Sequence, residues 1–281
     1  MVSITKDHFS IRQICESGQC FRLERLDGEE DIYKLTALGR YLEIRQRGNE
    51  IAFDCPPQEF DRIWKDYFDL DTDYGRFIHS IDREDAYLLE AARQGSGIRI
   101  LRQDLWEIII SFLISQQNNI KRIRKCVDLL CKKYGEKKQT EKGQVYYGFP
   151  GPEALSKVPL EDLYACNLGY RSRYIHETSL SVAQGKVDLE AVKAMGHEEA
   201  RAELLKLCGV GVKVAECICL FALHQTQAFP IDTHINQALK AWYPQGFPFE
   251  RYKGYEGILQ QYIFYYDLAK GKAARQSAYL D

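Results

Sequence analysis

A lysine, an aspartate and a pair of glycines stand at spacings that could perform chemistry on a nucleic acid. Gly209-Val-Gly211 separates two helical patterns, and Lys213 lies in the first turn of the second helix. Asp232 follows nineteen residues later, at the predicted start of another helix. A glycine hairpin of this kind turns backbone amides outward, where they can bind a phosphate. The positive end of a helix disfavours an ammonium and so favours a nucleophilic amine at Lys213.

Each of these features also has a purely structural explanation. A Gly-Val-Gly sequence between helices commonly serves as a helix end and a turn. Lys213 by itself predicts an exposed surface lysine, and Asp232 by itself predicts the N-cap of a helix beginning near Thr233. The combination at this spacing, rather than any single residue, favours the chemical interpretation.

The segment from Leu204 to His234 resembles the helix-hairpin-helix, Gly/Pro-Asp signature of base-excision DNA glycosylases. Within that superfamily the chain is similar to the 8-oxoguanine DNA glycosylase branch, from about Gly18 to about Leu268. Three further blocks carry the similarity: Ser17-Gly-Gln-Cys-Phe21-Arg22, Ser115-Gln-Gln-Asn-Asn-Ile-Lys-Arg122 and Asn167-Leu-Gly-Tyr170-Arg171-Ser-Arg-Tyr. The resemblance implies an enzyme that flips a damaged base out of double-stranded DNA before excising it.

The resemblance assigns the catalytic roles to Lys213 and Asp232. Lys213 would attack the sugar C1′, expel 8-oxoguanine and form a Schiff base, from which β-elimination cleaves the strand 3′ to the abasic site. Asp232 would stabilise the positive charge that develops on the sugar. The implied activity is a bifunctional DNA glycosylase and lyase that prefers 8-oxoguanine opposite cytosine.

The resemblance also implies a pocket for the damaged base. The carbonyl of Gly18 would accept a hydrogen bond from N7–H, which normal guanine lacks because its N7 is only an acceptor. Gln260 would bind the Watson–Crick edge, and Phe264, four residues later on the same helix face, would stack on the base. Cys217 would stack on the other side. On periodicity alone, Phe264 and Cys217 are almost as well explained as core residues.

A second group of residues is implied to serve the partner base and the DNA backbone. Tyr170 would wedge into the duplex, while Arg122 and Arg171 would donate to the acceptor edge of cytosine. Gln117 stands where the family commonly has asparagine, which puts its contact with the partner base in question. The residues implied to hold phosphates are Asn118, Gly209, Gly211, Val212 and His234.

Two other functions are compatible with parts of this pattern. A glycosylase of the same superfamily could excise other damaged purines, such as alkylated bases, although the monofunctional alkylation branch uses the aspartate with water and does not need Lys213. A non-catalytic DNA-binding protein could also carry a helix-hairpin-helix motif. The pair of Lys213 and Asp232 disfavours the second alternative.

Charge is distributed unevenly along the chain, whose net charge of −2 is itself not that of a strongly basic DNA binder. Residues 1–98 hold 13 Lys and Arg against 20 Asp and Glu, a net charge of −7, whereas residues 99–281 hold 25 against 20, a net charge of +5. A phosphate-binding face is therefore expected in the second part, with Lys121, Arg122, Arg124 and Lys125 as candidates.

Composition limits the cofactors and the setting. The nine cysteines are scattered without zinc spacing, and none follows Cys219, so a four-cysteine iron–sulfur loop after the last helix is excluded. We expect no cofactor, although a cation could bind carbonyls of the hairpin. The sequence has no secretory signal or membrane span, so we expect a monomeric intracellular protein, in the cytoplasm or nucleoid of a prokaryote or the nucleus of a eukaryote.

The elements that must position these residues fall into two parts, an α+β fold. Residues 1–98 are predicted to form an N-terminal antiparallel β-sheet domain with helices, and residues 99–281 an all-α helix-hairpin-helix domain. The predicted strands are 31–37, 40–46 and 50–53. The predicted helices are 59–68, 74–79, 82–94, 122–134, 152–156, 160–166, 174–184, 189–194, 198–207, 233–242 and 255–268. A further helix is predicted to begin after its cap at Asp104, and residues 136–144 are predicted to form an exposed loop.

Overall fold

The computed structural model describes residues 1–26, 28 and 31–277, with side chains as far as residue 269. A five-stranded antiparallel sheet forms near the N terminus, and helices make up most of the remaining chain. The predicted α+β class is therefore confirmed. No helix in the described residues has the length and apolar character that crossing a membrane requires.

The sheet has the strand order β1-β5-β4-β3-β2, and every neighbouring pair is antiparallel. Its strands are β1 Val2–Thr5, β2 Leu23–Arg25, β3 Ile32–Ala37, β4 Arg40–Arg47 and β5 Glu50–Phe53. The three strands predicted from alternation are confirmed as β3, β4 and β5. The sequence analysis missed β1 and β2, which are short and pair with strands that lie later in the chain.

One face of this sheet is the wall of the first hydrophobic core. Alternate residues such as Leu35, Leu42 and Ile44 are fully buried, as the two-residue period of a strand requires. A helical stretch covers them in three successive pieces: α2 Pro57–Glu59, a π-helical turn Phe60–Trp64 and α3 Lys65–Tyr67. The ring of Phe53 packs 5.1 Å from that of Phe60, between centroids.

The other helices have bounds close to the predicted ones wherever a cap and an apolar stripe were visible in the sequence. They are α1 Ile11–Glu16, α4 Gly75–His79, α5 Ala86–Gln94, α6 Leu105–Ser115, α7 Ile120–Tyr134, α8 Pro152–Leu155, α9 Leu160–Tyr164, α10 Arg171–Ala183, α11 Leu189–Ala194, α12 His197–Leu204, α13 Val212–Phe221, α14 Thr233–Trp242 and α15 Glu256–Ser277. A 3₁₀ turn, Phe249–Tyr252, precedes α15. Helix α1 was not predicted.

Helix α6 lies at the centre of the second core, because nearly all of its side chains are buried. It packs against α7, α10 and α13, which carry several of the predicted site residues, among them Arg122, Arg171 and Lys213. The Asp104 carboxylate caps α6 by accepting a hydrogen bond from the Glu107 amide at 2.8 Å, as predicted.

The prediction of a single exposed loop over residues 136–144 is wrong. Two short strands, β6 Lys137–Gln139 and β7 Val145–Tyr147, pair there as a hairpin. The hairpin packs on the N-terminal sheet, where the Tyr146 ring lies 5.8 Å from that of Tyr41. The strands could not be predicted from the sequence because the segment is polar and its contact with the sheet is made by residues far apart in the chain.

The two cores meet around the segment that leads into α6. Leu101 packs in the first core, whereas Ile98 and the buried residues of α5 pack in the second. Helix α5 therefore lies against α15, near the far end of the chain, although it precedes residue 99.

Candidate active site

The hairpin between α12 and α13 is shaped by its first glycine. Gly209 has a φ of +81°, and a Cβ added there would lie 2.4 Å from Cγ of Tyr174. Only glycine satisfies both the left-handed backbone and this contact. Gly211 caps α13 without a side-chain hydrogen bond, so the first amides of that helix have no side-chain acceptor at the cap. An anion can bind at such a helix start.

The hairpin is held in place from behind by two side chains of other elements. Gln116, at the end of α6, donates from Nε2 to the Gly209 carbonyl at 3.0 Å. Thr178 of α10 donates from Oγ1 to the Cys208 carbonyl at 3.2 Å. These two hydrogen bonds fix the hairpin to the end of α6 and to α10. Among the described residues no group of His, Cys, Asp and Glu side chains could hold a metal ion, and the mechanism proposed below assigns no step to a cation.

Lys213 is half-buried in the first turn of α13 and faces the core of the site. Its Nζ lies 5.4 Å from the centroid of the Phe112 ring. Cys217, one turn later, is buried, and this burial raises the pKa of its thiol, while the charge and hydrogen bond of Lys213 lower it. The Asp232 carboxylate also acts on this thiol by raising its pKa. Lys213 is thus within hydrogen-bonding reach of Cys217, and Asp232 is near enough for its charge to act on the same thiol.

Asp232 caps α14, as the sequence predicted. Its Oδ1 accepts a hydrogen bond from the Ile235 amide at 2.8 Å, and the residue is half-buried. The cap fixes the carboxylate without hiding it from the site. His234 is exposed in the first turn of α14, and its ring lies 6.3 Å from that of Phe264 in an edge-on arrangement.

Gly18 and Phe264 line the same space although they come from opposite ends of the chain. Gly18 has a φ of +76°, and a Cβ added to it would lie 3.3 Å from Cε1 of Phe264. Gln260, one turn before Phe264, is buried and donates from Nε2 to the Pro230 carbonyl at 3.0 Å. The structure thus brings Gly18 next to the helix that carries Gln260 and Phe264.

A buried glutamine that the sequence analysis did not single out for a role fixes the Gly18 turn. Gln19 accepts a hydrogen bond from the Leu101 amide at 2.9 Å and donates to the Arg99 carbonyl at 3.0 Å. It is completely buried. Gln19 stands beside Gly18 in the sequence, but its partners are about eighty residues away, so only the fold shows its role.

Of the residues predicted to face the partner base, Gln117 and Tyr170 lie at the surface, whereas Arg171 is buried beneath them. Gln117 is exposed with a φ of +46°, and Tyr170 is 46% exposed beside it. Arg171, in contrast, is buried: it donates from Nε to the Gln116 carbonyl at 2.9 Å and from Nη2 to the Gln117 carbonyl at 3.0 Å. In this structure Arg171 therefore supports the Gln117 turn from below.

Two further predicted contacts lie at the edge of this surface. Arg122 is exposed and donates from Nη2 to the Asn167 carbonyl at 3.5 Å, a weak bond that leaves the guanidinium accessible. Asn118 is half-buried and donates to the Ile114 carbonyl at the end of α6 at 3.0 Å. Val212, at the start of α13, is 60% exposed. The residues implied to hold phosphates thus lie in the hairpin between α12 and α13, at the start of α13 or α14, or in the turn after α6.

The family models that match the chain divide it into two consecutive regions. Residues 1–109 match the 8-oxoguanine DNA glycosylase, N-terminal domain, and residues 110–246 match the HhH-GPD superfamily of base excision DNA repair proteins. The boundary between these matches lies inside α6.

Curated relatives are similar over most of the chain. The N-glycosylase/DNA lyase of Saccharomyces cerevisiae is 31% identical over 268 residues, covering 86% of this chain and 70% of that protein. The N-glycosylase/DNA lyase OGG1 of Arabidopsis thaliana is also 31% identical, covering 84% of this chain and 67% of its own.

Solved structures agree with this similarity. The 8-oxoguanine glycosylase/lyase of Clostridium acetobutylicum, in complex with double-stranded DNA containing cytosine opposite 8-oxoguanine, is 33% identical with a TM-score of 0.88, over 94% of this chain and 93% of that one. A structure of MBOgg1 with a low-affinity DNA ligand is 33% identical with a TM-score of 0.89, over 96% of each chain. The 3-methyladenine DNA glycosylase of Archaeoglobus fulgidus has a TM-score of 0.73 at 20% identity, over 95% of this chain and 98% of its own, and so shares the fold alone.

Proposed function

Because this chain belongs to the 8-oxoguanine DNA glycosylase family of the HhH-GPD superfamily, we propose that it excises 8-oxoguanine from double-stranded DNA through Lys213. It is a DNA N-glycosylase with lyase activity. The observation that supports the assignment of residues is that Lys213 and Asp232 both act on the buried Cys217 thiol, while Gly18 lies against Phe264 of α15. A single chain supplies every one of these groups, so we propose that the protein acts as a monomer. It would act in the part of the cell that contains the DNA.

The excision step needs a neutral amine and a leaving base. The lone pair of Lys213 Nζ attacks C1′ of the sugar, the glycosidic bond breaks, and its electron pair leaves with the base, which takes up a proton. The Asp232 carboxylate stabilises the positive charge shared by C1′ and O4′ as the bond breaks. The cap bond to the Ile235 amide holds this carboxylate ready for the transition state.

The lyase step follows from the same covalent bond. The sugar ring opens as the C1′–O4′ bond breaks, O4′ gains a proton, and an iminium links C1′ to Nζ. Loss of a proton from C2′ then expels the 3′ phosphate, and water finally releases Lys213. Each of these steps needs only the amine, water and proton transfers.

Recognition of the base would use the Gly18 turn. A carbonyl accepts from N7–H of 8-oxoguanine, whereas it would face the N7 lone pair of normal guanine. Gln19 fixes this turn through Arg99 and Leu101, so the carbonyl cannot turn away to relieve that repulsion. Gln260 would bind the Watson–Crick edge, with Phe264 and Cys217 on the two faces of the base.

The test of this function is a pair of assays on duplexes that carry different lesions. We expect the wild-type protein to excise 8-oxoguanine and to be trapped on that DNA by borohydride, which reduces the iminium. Lys213→Gln should abolish trapping while still binding the lesion, because the hairpin amides are unchanged. Lys206→Gln, which removes an exposed lysine paired with Glu203, is the matched control and should be trapped normally.

Persistent trapping of Lys213→Gln would disprove the role of this lysine. Excision of alkylated purines in place of 8-oxoguanine would favour the other branch of the superfamily. Binding without any excision or trapping by the wild type would favour a non-catalytic DNA-binding protein.

We also propose that the enzyme reads the partner base and prefers cytosine. Arg122 is accessible, and its donors match the O2 and N3 acceptors of cytosine, whereas thymine presents a donor at N3. Arg171 already donates to the carbonyls of Gln116 and Gln117, so recognition of the partner base would rest mainly on Arg122. A bidentate contact discriminates by about 1–3 kcal/mol, so Arg122→Ala should narrow the preference for cytosine by roughly tenfold.

Single-turnover excision opposite each of the four bases measures this preference. Lys125→Ala, which removes an exposed charge from the same helix, should leave the ratio between partners unchanged. Equal wild-type rates opposite all four bases would refute the proposal.

A further inference from the structure

Glu216 is a buried carboxylate on the helix of the nucleophile, three residues after Lys213. It is only 7% exposed, and buried carboxylates are rare unless their oxygens are paired. Its Oε2 accepts a hydrogen bond from the Phe229 amide at 3.0 Å and lies 3.2 Å from Nε2 of His197. Its Oε1 lies 3.3 Å from Nη1 of Arg201.

The backbone that Glu216 holds is the approach to Asp232. Phe229 is followed by Pro230 and Ile231, and Asp232 comes next. The Pro230 carbonyl accepts a hydrogen bond from Gln260 of α15 at 3.0 Å. This short segment is therefore attached to the helix of Lys213 on one side and to the helix that lines the base pocket on the other. The spacing between Lys213 and Asp232 depends on the first of these attachments.

We propose that Glu216 is a positioning residue for base excision, which sets Asp232 relative to Lys213 through its hydrogen bond with the Phe229 amide. The inference rests on the proposed function and adds a residue to it. Glu216 does not touch the reacting atoms, and its effect passes through the backbone from Phe229 to Asp232. His197 and Arg201 hold the carboxylate from α12, so the same contacts also fix the angle of the hairpin.

Excision and lyase activity separate this role from a general contribution to folding. Excision needs Asp232 in place to stabilise the charge on the sugar, whereas trapping on a preformed abasic site needs chiefly the Lys213 amine. A displaced Asp232 should therefore slow excision much more than it slows trapping. Loss of folding would lower both together.

The matched control is another glutamate with the same two side-chain partners. Glu198 on α12 lies 3.7 Å from Nδ1 of His197 and 2.6 Å from Nη2 of Arg201, but its side chain is 73% exposed. None of its bonds reaches the segment before Asp232. Glu198→Ala thus disturbs the same two partners, His197 and Arg201, without releasing the Phe229 amide.

The experiment compares wild type, Glu216→Ala, Glu216→Gln and Glu198→Ala in single-turnover excision of 8-oxoguanine and in borohydride trapping on an abasic-site duplex. Glu216→Ala should slow excision on the order of 100-fold, as small misplacements of catalytic groups do, with little change in trapping. Glu216→Gln keeps an acceptor for the Phe229 amide and should recover most of the excision rate. Glu198→Ala should match wild type in both assays.

Equal excision by Glu216→Ala and wild type would overturn the proposal, as would an equal loss of excision and trapping. If Glu216→Ala does not fold, Glu216→Asp takes its place, because it keeps the charge beside His197 and Arg201 but withdraws the acceptor by one methylene. It should lose excision and keep trapping. A wild-type protein inactive on both duplexes would instead refute the proposed function itself.

Discussion

At the scale of single residues, a side chain that stabilises a helix is also one that we propose to act in the reaction. Asp232 shows this most clearly, because the carboxylate that caps α14 is the one proposed to stabilise the transition state. A capping carboxylate is already fixed by its bond to a helix amide, so little ordering is left to the reaction. The structural and the chemical explanations of Asp232 are therefore compatible.

Exchange of Asp232 for asparagine separates these two tasks. Asp232→Asn keeps the size and the capping oxygen but loses the charge. Removing one electrostatic stabiliser of a transition state costs about 2.7–4 kcal/mol, so single-turnover excision should fall by roughly 100- to 1000-fold. The free energy of unfolding should change by less than about 1 kcal/mol.

Asp188→Asn provides the comparison for this experiment. Asp188 caps α11 through the amides of Glu190 and Ala191, away from the site residues. It should change neither excision nor, to any large extent, stability. A near-normal excision rate in Asp232→Asn would mean that this residue acts only as a cap.

The limits of prediction from the sequence are also clearest at this scale. Lys213 and Asp232 could be proposed from the sequence because a hairpin, a helix start and their spacing are local signals. Gln19 and Glu216 were not, since their partners lie far along the chain or across a helix pair. Arg171 was predicted to face the partner base, but a guanidinium that binds two backbone carbonyls beneath a turn has no sequence signature.

At the scale of elements, local signals predicted helices better than strands. Helix α14 has the predicted bounds because both its cap and its apolar stripe lie within the segment itself. Strand β1 was missed because only its pairing with β5, far along the chain, makes it a strand. The hairpin of β6 and β7 depends in the same way on the sheet beneath it.

The hairpin between α12 and α13 should be sensitive to one added methyl group. Gly209→Ala would place Cβ 2.4 Å from Cγ of Tyr174 and would also strain a left-handed backbone. Overpacking of this kind typically costs about 1–3 kcal/mol of unfolding free energy. The displaced amides should also weaken binding to undamaged and damaged duplexes alike, as measured by fluorescence anisotropy.

Gly196→Ala is the control for this element. Gly196 caps α12 with a φ of −68°, and an added Cβ would meet no atom within 4 Å. It should leave both the denaturation midpoint and DNA affinity unchanged. If Gly209→Ala behaved like Gly196→Ala, the hairpin would be more adaptable than its packing indicates.

At the scale of the whole molecule, a buried ionic contact joins the part that carries the sheet to the segment that follows α13. Asp69 follows α3, and its carboxylate accepts from Tyr74 Oη at 3.0 Å and from Arg102 Nη2 at 3.0 Å. His224, after α13, lies 3.3 Å away through Nε2. Burial alone would raise the pKa of Asp69, but hydrogen bonds from His224 and Thr72 and the charges of His224 and Arg102 outweigh it and lower this pKa to about 2.

Stability should therefore fall in acid through this residue. The folded-state pKa of Asp69 lies below the value of about 3.9 for an unfolded chain, so its stabilisation is fully present above about pH 4 and is lost as the pH falls towards 2. The full effect corresponds to roughly 3 kcal/mol. The difference in unfolding free energy between wild type and Asp69→Asn should shrink over this range in urea titrations.

Asparagine suits this test because it tolerates the left-handed backbone of Asp69, whose φ is +50°. Asp61→Asn, at an exposed position, should show no such dependence on pH. A constant difference between wild type and Asp69→Asn from pH 6 to pH 3 would contradict the assignment.

The close approach of Gly18 to Phe264 has a consequence for the order in which the parts of the site form during synthesis of the chain. The wall of the base pocket joins the first twenty residues to the last helix, so a chain still being synthesised has no such pocket. The hairpin and α13, which we propose to bind DNA phosphates, leave the ribosome earlier. On the proposed roles, discrimination between damaged and intact guanine would arise only when α15 docks.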